Sequence, residues 1–227
     1  DRNGDLRVIS DGKLSDPVAG VPEVSAQGQG GLLDVVLHPD FAANRLIFMS
    51  FAEPRENGNA TSVMRGRLTD DLTRLEDVKV TFRQQPAYDG GHHFGSRLVF
   101  DRSGHLFITT GDRNRLRALV QDGRTHIGKI IRVTEDGGVP PDNPKVDGWL
   151  PEIWSMGHRN LQGAALHPET GALWTVEHGA RGGDELNQPQ AGRNYGWPVI
   201  SYGREYSFLP IGEGRDKVAE VSKKWFR

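Results

Sequence analysis

Two imidazoles set among glycines, in the run Gly90, Gly91, His92, His93, Phe94 and Gly95, are the first residues of this chain whose types and spacing suggest chemistry. Glycine there lets another group approach the backbone closely. If the pair is extended, successive side chains face opposite sides, so only one of His92 and His93 can face a given ligand, and joint metal binding by the two is disfavoured. A single general base is the sharper expectation, and a histidine bonded within its own loop is the alternative. Asp112 follows an expected strand over Leu106–Thr110 and supplies a carboxylate that could orient an imidazole and stabilise its protonated form. Capping a helix N-terminus is its plainer role. The run Ser155, Met156, Gly157, His158, Arg159 and Asn160 concentrates donors suited to an anionic or quinone-type oxygen, or else forms a turn with a solvated arginine. Between Glu177 and Asn187, flexible backbone is combined with carboxylates, as a calcium site built from carbonyls and acids requires, but without the regular EF-hand spacing.

The balance of charge limits the partners these groups could serve. Across 227 residues, 28 Lys and Arg stand against 30 Asp and Glu, a formal net charge of −2, with no run of like charge. A binder that relies on a basic face for nucleic acid is therefore not expected. Nothing approaches the roughly 18 apolar residues of a spanning helix, and Asp1 to Asp5 do not begin a signal-peptide pattern. The chain has no cysteine, which excludes disulfides, zinc–thiolate sites and iron–sulfur clusters and leaves the compartment open.

The elements that must position these residues read as β. The 29 glycines and 13 prolines imply many tight turns, and short β-branched and aromatic runs alternate with turn signals. The best short helix candidate is Asn114 to Gln121, where Leu116, Leu119 and Val120 share one face before Asp122 and Gly123. A polar turn feeding a strand recurs around Leu6, Leu46, Leu106 and Leu173, which fits a unit of about 40–50 residues with insertions and points to a β-propeller. Such turns precede strands in any β protein, so an all-β fold without that repeat is the plainer reading.

Taken in order, several motifs closely resemble the soluble pyrroloquinoline quinone (PQQ)-dependent aldose sugar dehydrogenases of the glucose/sorbosone dehydrogenase family. They are Gln29 to Leu33 with His38 to Phe41, His92 to Leu98, Gly111 to Arg113, His126 to Ile131, Gly157 to Asn160, Glu177 to Gly179, Asp184 to Asn187, and Asn194 to Pro198. The resemblance implies a single all-β domain over 1–227, a six-bladed propeller of which this chain carries about four blades, incomplete at both ends. It also implies an oxidoreductase that uses PQQ and Ca2+ to oxidise aldoses at the anomeric carbon to lactones. An external electron acceptor, a periplasmic or secreted location and no membrane span follow from the same resemblance.

By motif position, the resemblance makes His93 the base, Asp112 its orienting carboxylate, and Arg159 and Asn160 the donors to the quinone oxygens. Gln29 and His178 match positions lining the cofactor, and the carbonyls of Gly179 and Ala180 match calcium ligands. Glu185 and the carbonyl of Tyr195 match part of a second, structural calcium site. The glucose-specific branch has glutamine at His178 and proline at Ala180, so the departures here favour the broader aldose branch. The resemblance places the family's Lys and Arg clamp on the PQQ carboxylates in final blades expected to lie outside these residues. A calcium-dependent lactonase and a non-catalytic binding propeller are the alternatives in other classes.

Overall fold

The computed structural model describes residues 1–212, together with the backbone of the short strands Lys217–Val218 and Val221–Ser222. The chain divides into two compact units, Asp1–His92 and His93–Arg227.

In the first unit, β1 (Ile9–Ser10) and β2 (Lys13–Leu14) form a small hairpin. Then β3 (Leu32–Leu37), β4 (Leu46–Arg55), β5 (Gly58–Leu68) and β6 (Leu75–Arg83) make an antiparallel meander in chain order. One helical turn, α1 (Phe41–Asn44), joins β3 to β4 and ends at Arg45 in the left-handed region. Every residue from Ile47 to Ala52 is buried, so both faces of β4 are covered. Its period-2 alternation sends Ile47, Met49 and Phe51 into one core with Val18, Met64, Leu68 and Leu75. Full burial of such side chains contributes about 1.5–3 kcal/mol each.

In the second unit, β7 (Gly95–Phe100), β8 (Leu106–Thr110), β9 (Lys129–Val133) and β10 (Ile153–Met156) form another antiparallel meander. A second sheet follows from β11 (Leu161–Leu166), β12 (Leu173–Glu177) and β13 (Glu185–Asn187). The two-residue strand β14 (Arg193–Asn194) returns to pair in parallel with β10. Hairpins β15 (Ile200–Arg204) with β16 (Pro210–Gly212) and β17 (Lys217–Val218) with β18 (Val221–Ser222) complete the unit. Strands β8 and β9 sit inside their sheet and are buried at every position, which their β-branched and aromatic residues tolerate on both faces.

The all-β expectation holds, with almost no helix, and among the described residues no sheet closes on itself. Leu46, Leu106 and Leu173 each open a strand, whereas Leu6 lies outside any strand. The expected helix is shorter and tighter: a 3₁₀ turn covers Arg117–Gln121. Arg113 and Asn114 adopt φ of 53° and 63°, which cannot begin a right-handed helix, so the element starts later. Its apolar face is as read, since Leu116, Leu119 and Val120 share one cluster. Among the described residues no helix is long and apolar enough to cross a membrane.

Candidate active site

The end of β8 and the entry to β7 lie side by side, and this places Asp112 against His93. Gly111 makes the approach possible: a Cβ there would lie 2.0 Å from the His93 carbonyl oxygen. His93 is not extended but left-handed, with φ of 52°. The two side chains nevertheless differ in environment: His93 is buried while His92 is exposed. His93 Nδ1 lies 2.6 Å from Asp112 Oδ1. A carboxylate only accepts, so Nδ1 carries the hydrogen and Nε2 is the nitrogen left to take up a proton.

Asp112 is 1% exposed and fully engaged. Its Oδ1 also accepts the Asn114 N–H at 2.7 Å, and its Oδ2 accepts the indole N–H of Trp197 at 2.8 Å. The local turn and the orientation of an imidazole are therefore both roles of the same carboxylate. Its backbone N–H donates to the Arg159 carbonyl at 2.8 Å, which joins the dyad to the segment after β10.

That segment carries Arg159 and Asn160, both buried. Arg159 Nη1 donates to the His178 carbonyl at 2.9 Å, and its guanidinium lies 5.4 Å from the Trp197 ring. Arg159 Nε is buried and has no hydrogen-bond partner among the described residues. Leaving such a donor unsatisfied costs about 1–3 kcal/mol, which marks the place where an acceptor is wanted. The Asn160 amide oxygen accepts from the Gly95 N–H at 3.2 Å and from Gln162 Nε2 at 3.0 Å, so its NH2 is oriented as the donor end.

Behind these donors is a group whose role the sequence motifs did not assign. His158 is wholly buried between Ser155, whose Oγ is 2.9 Å from Nε2, and Glu177, whose Oε2 is 3.3 Å from Nδ1. Glu177 Oε2 also accepts the Arg159 N–H at 3.3 Å, and the Tyr195 ring stacks on His158 at 4.9 Å. Burial pushes the Tyr195 phenol above its ordinary value. The signal that could have found Glu177 is the inward alternation of Leu173, Thr175 and Glu177 along β12, which puts an acid on a buried face.

The remaining site positions are more dispersed. His178 is exposed and sits 3.8 Å from Asp184 Oδ1, which also accepts the Gly179 N–H at 2.8 Å. A Cβ on Gly179 would meet the Gly182 carbonyl oxygen at 2.2 Å, so only glycine lets this loop fold so tightly. The Ala180 carbonyl accepts the Arg204 N–H at 2.8 Å. Glu185 is buried and accepts from Asn187 at 3.0 Å, while the Tyr195 hydroxyl donates to the Gln188 carbonyl at 2.9 Å. Among the described residues no three His, Asp or Glu side chains gather to hold a metal. The donors available in the 179–183 loop are backbone oxygens, which are of the type calcium takes. Gln29 belongs to the first unit, exposed, with its N–H donating to the Gly91 carbonyl at 2.7 Å.

Lys129 is a second residue whose role was not foreseen. Its ammonium is completely buried beneath the 3₁₀ turn, donating to the carbonyls of Ile127 at 2.7 Å and Val120 at 2.8 Å. Burial pushes its pKa down to about 7. The unfolded chain keeps this proton up to the ordinary lysine range while the folded chain releases it near neutrality, so stability rises with pH across that window and falls as pH drops through about 7. In urea unfolding at pH 7 and pH 9.5, the stability difference between the protein and Lys129→Met is expected to grow in favour of the lysine. A constant difference would contradict this.

These sheets and this buried His–Asp and Arg–Asn arrangement place the chain among all-β proteins with a polar site at strand ends. The chain belongs to the Glucose / Sorbosone dehydrogenase family, whose model matches residues 1–226. It is 51% identical over 221 residues to "Aldose sugar dehydrogenase YliI" of Escherichia coli (strain K12), covering 96% of this chain and 59% of that protein. The crystal structure of the soluble aldose sugar dehydrogenase from Escherichia coli in the apo-form superposes with a TM-score of 0.93 at 49% identity, covering 97% of this chain and 65% of that one. The PQQ-bound form of an aldose sugar dehydrogenase from Streptomyces coelicolor gives a TM-score of 0.77 at 30% identity, covering 92% and 61%. The chain thus spans less than two thirds of the length of these relatives.

Proposed function

We propose that this chain is part of a PQQ- and calcium-dependent aldose sugar dehydrogenase that oxidises sugars at the anomeric carbon to lactones. The observation that carries this reading is the buried His93–Asp112 pair, bonded at 2.6 Å and joined through the Asp112 N–H to the Arg159 segment. The relative solved with PQQ bound supports the cofactor. The residues suit it chemically, because buried Arg159 has an unsatisfied Nε and Asn160 presents its NH2. When bound, PQQ supplies the acceptor for the hydride that leaves the anomeric carbon.

The protein's own residues do the rest. His93 Nε2 takes the proton of the anomeric hydroxyl, while Asp112 holds the ring through Nδ1 and stabilises the imidazolium that forms. Arg159 and Asn160 would donate to the quinone oxygens and so would favour negative charge there. The carbonyls of Gly179 and Ala180 would hold calcium at the cofactor, with Glu185 and the Tyr195 carbonyl at a second, structural ion. Gln29 and His178 are read as cofactor-lining on their motif positions alone. A six-bladed propeller, with residues 1–227 belonging to a single domain, and a periplasmic or secreted setting complete the proposal.

One experiment tests it. The intact protein is titrated with PQQ and calcium, followed by absorbance, and assayed for dye-linked oxidation across aldohexoses, aldopentoses and disaccharides. Saturable binding and broad oxidation with modest discrimination are expected; a preference for one sugar above about 10⁴-fold would mark a site built to pair one particular hydroxyl. Exhaustive chelation should release PQQ and lower the melting temperature. Spectra and melting that ignore the chelator would remove both calcium sites, and water-dependent lactone opening without sugar oxidation would replace the dehydrogenase by a hydrolase.

A further inference from the structure

Trp197 touches both halves of the candidate site. Its indole N–H donates to Asp112 Oδ2 at 2.8 Å, on the oxygen that His93 does not use. Its ring lies under the Arg159 guanidinium, with 5.4 Å from the carbon centre to the ring centroid. The side chain is 4% exposed and packs with Val120, Ile127, Ala180 and Ile211. Its backbone is held as well: the N–H donates to the Gly157 carbonyl at 2.9 Å, and the carbonyl accepts Gln121 Nε2 at 2.6 Å. The indole is thus pinned on every side before it reaches the carboxylate.

We propose that Trp197 is a positioning residue that sets Asp112, and through it His93, in one orientation while supporting the Arg159 guanidinium from below. This rests on the reading of His93 as the base. A carboxylate bonded at one oxygen alone can rotate about its Cβ–Cγ bond; a donor on each oxygen fixes that plane, and with it the ring that Oδ1 holds. The aromatic face stabilises a cation placed over it and limits its rotamers. A tryptophan that only filled the core would need some acceptor for its N–H. Here the acceptor is the one carboxylate bonded to the proposed base, and the face meets the one buried arginine carrying an unsatisfied nitrogen among the described residues of this unit.

Trp197→Phe keeps a ring and removes the N–H. In the intact protein without cofactor, the His93 Nδ1–H proton resonance is read by NMR on histidine-labelled samples. In the holoprotein, kcat and KM for sugar and PQQ affinity are measured. We expect the resonance to shift or broaden, kcat to fall about tenfold, as the loss of one charge-assisted hydrogen bond would produce, and KM and PQQ affinity to change little. Should Trp197→Phe fail to fold, replacement of the indole by benzothienylalanine keeps the shape and removes only the donor. An unmoved His93 resonance in whichever of these variants folds would overturn the proposal. A moved resonance in a protein that oxidises no sugar would keep the indole's positioning role and sink the dehydrogenase reading instead.

Discussion

His93→Ala should lower turnover by about 10²–10⁴-fold, the usual cost of removing a positioned general base, while PQQ binding is largely kept. The reason is positional: His93 is buried and lies 2.6 Å from Asp112, the pair on which its proposed role as base rests. The proposed cofactor donors are Arg159 and Asn160, which the substitution leaves in place. His92→Ala is the internal control, because that side chain is exposed and should leave kcat unchanged. Steady-state kinetics with PQQ-saturated protein decide the matter. A His93→Ala protein that retains most of its turnover, or a His92→Ala protein that loses it, would take the role from His93.

The second large effect is on stability. Glu177 is 2% exposed and its Oε2 accepts from both the His158 ring and the Arg159 N–H. Glu177→Ala leaves two buried donors without their acceptor and opens space beneath the Tyr195–His158 stack. Breaking one side of a buried polar pair costs about 3–5 kcal/mol, and urea unfolding should register a loss of that order. Glu177→Gln keeps an acceptor oxygen and should lose much less. Equal losses for the two would mean that volume, and not the hydrogen bonds, sets the contribution of this residue.

Much of the site is legible in the sequence because the informative residues are clustered. Glycine punctuation marks the His92–His93 pair and a strand end marks Asp112, both local signals that survive without tertiary context, while the choice of His93 over His92 comes from the family motif alone. The strand at Leu106–Thr110 was read at its observed limits, since its residues and flanking turns agree. The 3₁₀ turn was misplaced because left-handed Arg113 and Asn114 are imposed by the turn that carries Asp112, not by their own propensities. Lys129, His158 and Trp197 escaped for a related reason. Each was visible within a motif, but its role depends on how the chain folds back on it: the lysine meets the carbonyls of Val120 and Ile127 only because the 3₁₀ turn closes over it, and the indole meets Asp112 across 85 residues. Period and composition cannot report a hydrogen bond made by tertiary folding.

The two oxygens of Asp112 are secured over very different lengths of chain. The bond to His93 spans 19 residues, whereas the bond to Trp197 spans 85. Closing the longer loop costs about 1.3 kcal/mol more in chain entropy if the cost grows as (3/2)RT ln n. The imidazole–carboxylate pair can therefore come together with the β7–β8 hairpin alone, but the donor on the other oxygen arrives only once β9, β10 and the chain beyond them are in register. The geometry of the His93–Asp112 pair is thus a report on long-range chain closure: any change that loosens the packing of residues 194–200 is felt at Asp112, although it lies nowhere near it in sequence.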